Sequence, residues 1–108
     1  MNFSHRVDFF IGLVTSAATG LRDLDPQVTL DRVAIHLASY HIDGFTAVQA
    51  HGYWCGNPEP SLNVFYYTDD PSQAQNIAEE LAVAFNQEAV LVSVTPTDAR
   101  LVFVPAES

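Results

Sequence analysis

The strongest constraint on the fold is a near-continuous apolar run close to the start of the chain, Val7–Thr15. Strands covered on both faces show such runs, whereas half-exposed strands alternate apolar and polar residues. The run therefore predicts a central strand buried on both faces, with Gly12 marking a bulge or a close approach. Residues 1–6 before it are expected to form a flexible tail.

Two later segments have the spacing of amphipathic helices. Asp25-Pro26 is typical of a helix start, and apolar residues then recur three or four positions apart until Gly44. Asp70-Pro71-Ser72-Gln73 is a second start, with an N-cap aspartate, a proline in the first turn and a capping-box glutamine. An apolar stripe follows it: Ala74, Ile77, Ala78, Leu81 and Phe85.

Between the helices, two segments alternate with the period of two that is typical of strands. Phe45–Trp54 and Ser61–Thr68 are predicted to pair as an antiparallel hairpin. The connection Cys55–Pro60 contains glycine, asparagine and two prolines, which are turn residues. After the second helix, Ala89–Val94 and Arg100–Val104 are predicted to form a C-terminal hairpin around Thr95–Asp98.

The element order is strand, helix, strand, strand, helix, strand, which predicts an α+β ferredoxin-like βαββαβ sandwich with a C-terminal hairpin. Two helices would cover one face of the antiparallel sheet. We expect a single domain over residues 1–108, with 105–108 as a second flexible tail. The uncovered sheet face would gain by burial in an oligomer.

The charge balance disfavours one class of partner. The chain has 13 acidic and four basic residues, a net charge of −9 at pH 7, and all four basic residues are arginines. Binding to phosphate backbones depends on clustered cations, so nucleic acid is not an expected partner. The sequence also lacks a membrane-length apolar run and the features of a signal peptide, so we expect a cytoplasmic protein with no membrane partner.

The segment Gly52–Glu59 concentrates the unusual chemistry of the chain. His51 and Tyr53 make one strand face polar, Cys55 is the only cysteine, and Glu59 stands between two prolines. One histidine and one thiol fall short of the four ligands of a closed zinc site, and a lone thiol in a turn is a poor candidate nucleophile. Glu59 is either a site carboxylate or a solvated loop residue, and the aromatic residues near it are either a wall for a cation or core.

Several motifs resemble, in order and spacing, the small phage enzymes that degrade S-adenosylmethionine (SAM), formerly described as hydrolases and now as lyases. The motifs are Phe9–Ser16, Gln73–Ala78, Asn86–Val92 and Leu101–Phe103. The likeness extends from Val7 to Val104. A family of small bacterial proteins of unknown function shows a similar pattern, matched here by Gly52-Tyr53-Trp54, Glu59 and Phe85–Val90.

The resemblance to the lyases implies an intramolecular reaction that needs no cofactor. The carboxylate of SAM attacks its own γ-carbon, which releases methylthioadenosine and homoserine lactone. The resemblance also implies a homotrimer with sites between subunits, in the host cytoplasm, with an anti-restriction role through removal of SAM.

Matched position by position, the resemblance also implies the site residues. Glu59 corresponds to the glutamate near the amino-acid end of the substrate, where it would anchor the ammonium group, and Tyr53 accompanies it as the second catalytic candidate. The residues expected to bind substrate are Val14, Thr15, Ser16, His51 and Trp54. The alternative is a non-catalytic module that binds a small ligand or a protein on the open sheet face.

Overall fold

The computed structural model describes residues 1–17 and 20–105, and the side chains in these ranges except at positions 15–17, 20–23 and 54. The elements are β1 (Asn2–Gly12), β2 (Val14–Ala17), β3 (Gly20–Asp23), α1 (Pro26–Ala38), β4 (Thr46–Trp54), β5 (Asn57–Thr68), a 3-10 turn (Pro71–Gln73), α2 (Ala74–Ala84) and β6 (Leu91–Arg100). Four strands form an antiparallel sheet in the order β4-β5-β1-β6, and β2 pairs with β3 separately. The predicted α+β ferredoxin-like sandwich is confirmed.

Both helices cover the same face of the sheet because the central strands place apolar residues at alternate positions. Val7, Phe9 and Ile11 of β1 stand opposite Tyr66, Val64 and Leu62 of β5, and all six are buried. The helices supply the other half of this core, chiefly Val33, Leu37, Ile77 and Leu81. None of the helices in the described part of the chain is long and apolar enough to cross a membrane.

The position of β1 at the centre of the sheet is confirmed, but its predicted burial on both faces is wrong. The helices lie on one side only, and Phe10 on the opposite side is 38% exposed. We call this uncovered side the open face. Asp8 lies there too, and it is buried by neighbouring side chains rather than by a second layer.

Residues 2–6, expected to be a tail, form the first half of β1. They pair with the end of β6, where Asn2 stands opposite Arg100 and Arg6 opposite Thr95. Because this half of β1 offers β6 a partner along its whole length, β6 continues from Leu91 to Arg100 without a turn.

The predicted C-terminal hairpin is therefore wrong. Its expected turn contains Pro96, which β6 accommodates because β6 is an edge strand and because the pairing shifts by one residue between Phe3 and His5. In the described residues after Arg100, Leu101 donates one main-chain hydrogen bond to Met1, and residues 101–105 have no assigned strand.

The predicted helix starts at Asp25 and Asp70 are confirmed by their side-chain caps, but the capping-box bond predicted for Gln73 is not formed, since the Asp70 N–H donates to Thr68 instead. The Asp25 carboxylate accepts hydrogen bonds from the N–H groups of Gln27 and Val28, both near 3.0 Å. The Asp70 carboxylate accepts one from the N–H of Ser72, and the pKa of Asp70 is lowered by the Ser72 side chain and then by this main-chain bond. Asp25 thus caps α1 itself, whereas Asp70 caps the 3-10 turn that leads into α2.

Candidate functional site

The hairpin that carries the candidate residues is tighter than predicted. Its turn consists of Cys55 and Gly56, which both have positive φ, 52° and 79°, as a two-residue hairpin turn requires. Trp54 and Asn57 pair across the turn, so that β5 begins at Asn57. The predicted connection over Cys55–Pro60 is wrong in its second part, which is strand.

Pro58 and Pro60 fit inside β5 because their nitrogens face away from β4. In an antiparallel strand, the N–H and C=O of one residue project to the same side. The Pro60 carbonyl accepts a hydrogen bond of 2.8 Å from Leu13, at the point where β1 leaves the ladder. The missing N–H groups therefore cost no bond to β4, and the two prolines stiffen the backbone on either side of Glu59.

Glu59 and the two polar residues predicted to accompany it lie on opposite faces of the hairpin. Glu59 pairs with Gly52, and directly opposed residues share a face. His51 and Tyr53 flank Gly52 in β4 and so project to the other side, where Tyr53 is 77% exposed. Within one chain, the structure does not bring Glu59 together with His51 or Tyr53.

The side chain of Glu59 lies over the main chain of Gly12, at the end of β1. A β-carbon on Gly12 would overlap Glu59 Oε1 and would stand 2.8 Å from Glu59 Cδ. The side-chain oxygen of Gln87 lies 2.9 Å from the same point. Gly12 thus leaves the space in which two polar side chains meet, which agrees with the predicted close approach at this residue.

Gln87 belongs to one of the motifs of the resemblance, but no role was predicted for it. Its Nε2 donates to the carbonyl oxygens of Phe85, at 3.1 Å, and of Val14, at 3.4 Å. Asn86, with a φ of 52°, turns the chain after α2 and directs Gln87 to the end of β1. Asn86 is the residue in the sequence that could have indicated this turn, since asparagine tolerates a left-handed conformation better than most residues.

Of the substrate-binding residues predicted at the end of the first strand, Val14 lies beside Gly12 and Gln87. The Val14 carbonyl contacts Gln87, and Val14 is two residues from the Gly12 main chain under Glu59. Thr15 and Ser16 follow in β2, and their side chains, like that of Trp54, lie outside the described residues. We name Gly12, Val14, Glu59 and Gln87 the strand-end site.

A charged cluster lies further along the open face. Arg6 donates hydrogen bonds of 2.8 and 2.9 Å to Asp8, and its guanidinium stands 3.8 Å from the ring centre of Phe65. Asn63 donates a third bond to Asp8, at 3.1 Å. The Arg6 contact above all lowers the pKa of Asp8, against the effect of burial, and the same contact raises the pKa of Arg6.

Other polar groups lie apart from the strand-end site. Cys55 is exposed at the hairpin tip. His36 and Glu80 join α1 to α2 at 2.7 Å, and Tyr40, whose pKa is raised by desolvation and then by Glu80, extends this contact. In the part of the chain that the structure describes, no group of three or more histidine, cysteine or acidic residues is arranged to hold a metal ion.

The strand-end site brings together a carboxylate, an amide and a main-chain carbonyl, groups that can contact a cation. A carboxylate with a stiff backbone can hold an ammonium group directly or through water, because charge-assisted hydrogen bonds are the stronger class. The neighbouring amide of Gln87 and the Val14 carbonyl add neutral acceptors and donors at the same strand end.

The sequence matches no family model and no curated protein. Among solved structures, the chain is similar to a phage SAM lyase in its apo state, with a TM-score of 0.68 and 17% sequence identity. The likeness covers 95% of this chain and 94% of that one. At this identity the comparison shows a shared fold over nearly the whole length, and function is a separate question.

Proposed function

We propose that this protein is a SAM lyase that forms methylthioadenosine and homoserine lactone. The observation that carries the proposal is the Glu59 carboxylate over Gly12, at the end of the central strand. The full-length likeness of fold to a phage SAM lyase supports it. The net charge of −9 favours a substrate that carries an ammonium and a sulfonium group.

The reaction requires little chemistry from side chains. An oxygen of the substrate carboxylate forms a bond to the γ-carbon, the bond from this carbon to sulfur breaks, and the electron pair stays on sulfur. The leaving thioether is neutral and needs no proton. The protein therefore has to hold a bent conformer, and orientation of this kind supplies up to about 7–11 kcal/mol. Since the attack neutralises two charges, a site that excludes water also favours it.

In this scheme Glu59 anchors the ammonium group and performs no acid–base step. Glu59 as a residue is half-buried, and its carboxylate lies over the main chain of Gly12. Gln87 and the Val14 carbonyl stand beside this anchor and orient the same end of the substrate.

We further propose that the complete site lies between subunits of a homotrimer. Tyr53 and His51 lie on the face of the hairpin opposite Glu59, so a neighbouring copy is needed to bring such residues to the carboxylate. Large apolar side chains on the open face support an oligomer, since Phe10, Val48 and Leu91 are 38%, 51% and 65% exposed.

The direct test is to incubate the purified protein with SAM and to follow methylthioadenosine by chromatography. Running the reaction in ¹⁸O-water separates lyase from hydrolase. A lyase forms the lactone first, so homoserine produced later carries the label in its carboxyl group. A hydrolase places the label in the hydroxyl group. If no methylthioadenosine forms at any protein concentration, the protein is neither a SAM lyase nor a SAM hydrolase.

The open face favours one second candidate, a non-catalytic binding module. Its exposed apolar residues surround the Arg6–Asp8 pair, an arrangement that suits a protein partner or an aromatic ligand. Retention of SAM or a nucleoside in equilibrium dialysis, without any product over hours, would identify this function instead.

A further inference from the structure

An exposed apolar segment follows β6, close to the end of the part of the chain that the structure describes. Leu101, Val102, Phe103 and Val104, which we name the apolar arm, are 51%, 88%, 72% and 89% exposed. The arm directly follows β6, and Leu101 at its start donates a main-chain hydrogen bond of 2.9 Å to Met1, at the first residue of the chain. Four consecutive exposed apolar residues with strand propensity are typical of a segment that pairs or docks.

An apolar groove lies at the opposite end of β6. It has a volume of about 290 Å³ and lies between α2 and the start of β6. Its lining combines small and branched apolar side chains with the polar side chains of Gln75, Glu79 and Glu88. The apolar lining residues are Ala78, Ala82, Ala89, Val90 and Val92. We name it the α2–β6 groove.

The arm cannot fill the groove of its own chain. Val92 in the groove and Leu101 at the start of the arm are nine positions apart along extended β6. At a rise of about 3.3 Å for each residue, the two are roughly 30 Å apart. Only another molecule can bring such a segment to the groove.

The charges of the two surfaces are complementary. Arg100 directly precedes the arm, and its contact with Asp98, at 3.2 Å, is made by side chains that are 63% and 72% exposed. Such an exposed pair contributes little and exchanges partners readily. The carboxylates of Glu79 and Glu88 beside the groove offer Arg100 a second partner.

We propose that the apolar arm of one copy docks in the α2–β6 groove of a second copy. The apolar side chains of the arm contact the alanine and valine side chains of the groove, and Arg100 contacts Glu79 or Glu88. Since arm and groove are different surfaces, the contact is head-to-tail, and repetition either closes a ring or continues as a chain. The proposal concerns assembly and does not depend on the proposed reaction.

The first experiment measures the mass of the full chain by light scattering at tens of micromolar. The wild type is expected to weigh at least twice the 11.8 kDa of one chain. Phe103→Asp combined with Val102→Asp is expected to lower this mass, without loss of folding, because both side chains are exposed in the protomer. Ile35→Glu, at a position that is 71% exposed on α1, is the matched control and should keep the wild-type mass.

A charge exchange tests the contact itself. Arg100→Glu should weaken assembly at least 10-fold, and Glu79→Arg together with Glu88→Arg should weaken it similarly. The three changes combined should restore it. A wild type that weighs 11.8 kDa, or an assembly that neither the arm variant nor the charge variants alter, would overturn the proposal.

A disulfide between copies locates the arm. In a Cys55→Ser background, one preparation carries Phe103→Cys and a second carries Ala82→Cys. We expect the mixture, after mild oxidation, to give a crosslinked band of two chains well above the level of either preparation alone. No excess over the separate preparations would contradict the docking. SAM turnover is measured on the same samples, so that a failure of assembly and a failure of activity are distinguished.

Discussion

The carboxylate of Glu59 occupies the place where residue 12 would carry a β-carbon if it were not glycine. Two features of the chain that are 47 positions apart thus meet: a glycine at the end of an apolar run, and an acid between two prolines. The register of β1 on β5, which pairs Gly12 with Ser61, brings them together.

Gly12→Ala is expected to move the Glu59 carboxylate while the protein stays folded. The overlapping atoms are the far ends of the flexible Glu59 and Gln87 side chains, which can swing away. A displacement of about 1 Å in a positioned group can cost on the order of 100-fold in rate, and we expect a loss of that order in kcat/KM for SAM. Gly44→Ala is the matched control, because a β-carbon there contacts nothing. Wild-type turnover in Gly12→Ala would show that the position of the Glu59 carboxylate over Gly12 does not matter for the reaction.

Glu59→Gln is expected to remove most of the SAM activity and to leave the melting temperature within a few degrees of wild type. Glutamine keeps the shape but loses the charge that holds the ammonium group. Since hydrogen bonds to charged groups are worth roughly 1.5–3 kcal/mol, kcat/KM should fall about 10- to 100-fold. Asp43→Asn, an exposed loop change, should have no effect. An analogue without the α-amino group should react equally with both proteins, and a persisting difference would give Glu59 another role.

Mixed subunits test whether Tyr53 and Glu59 act from different copies. Tyr53→Phe and Glu59→Gln are each expected to be weakly active, and their mixture should recover activity. In a ring with random mixing, about a quarter of the sites combine an intact Tyr53 of one copy with an intact Glu59 of the next. Co-refolding followed by the methylthioadenosine assay measures this. Tyr53→Phe with full activity, or a mixture no better than its parts, would remove Tyr53 from the proposed site.

Acid should weaken the fold through Asp8. Its pKa is lowered in the folded state, mainly by the Arg6 contact, so its contribution is complete above the ordinary value of 3.8 and is lost as pH falls through the folded value. Urea unfolding at fixed protein concentration should show Asp8→Asn less stable by about 1–2 kcal/mol at pH 7, allowing for solvent around Arg6. The difference should shrink below pH 3.8.

Asp98→Asn is the matched control for this experiment. Asp98 and Arg100 have the same spacing as Arg6 and Asp8, but their side chains are exposed, so the pair contributes little. A pH-independent difference between wild type and Asp8→Asn would mean that packing rather than charge is responsible.

Local features were predictable where the cause is local. The caps at Asp25 and Asp70, and the alternation in Ser61–Thr68, depend on neighbours within a few residues. The conformation of Thr95–Asp98 was not predictable, because a proline between two β-branched residues is compatible with a turn and with a bulged edge strand. The partner strand from Asn2 to Arg6 decides between them.

The sequence by itself determined the class of fold, since strand and helix periodicities, caps and their order leave few arrangements for the chain. It also drew attention to Glu59, whose two prolines are visible in the sequence. Only the tertiary structure decided what Glu59 meets: Gly12 and Gln87, with His51 and Tyr53 on the far side of the hairpin. The physical reason is strand register, because a shift of one residue exchanges the two faces, and a turn of two residues rather than six sets that register.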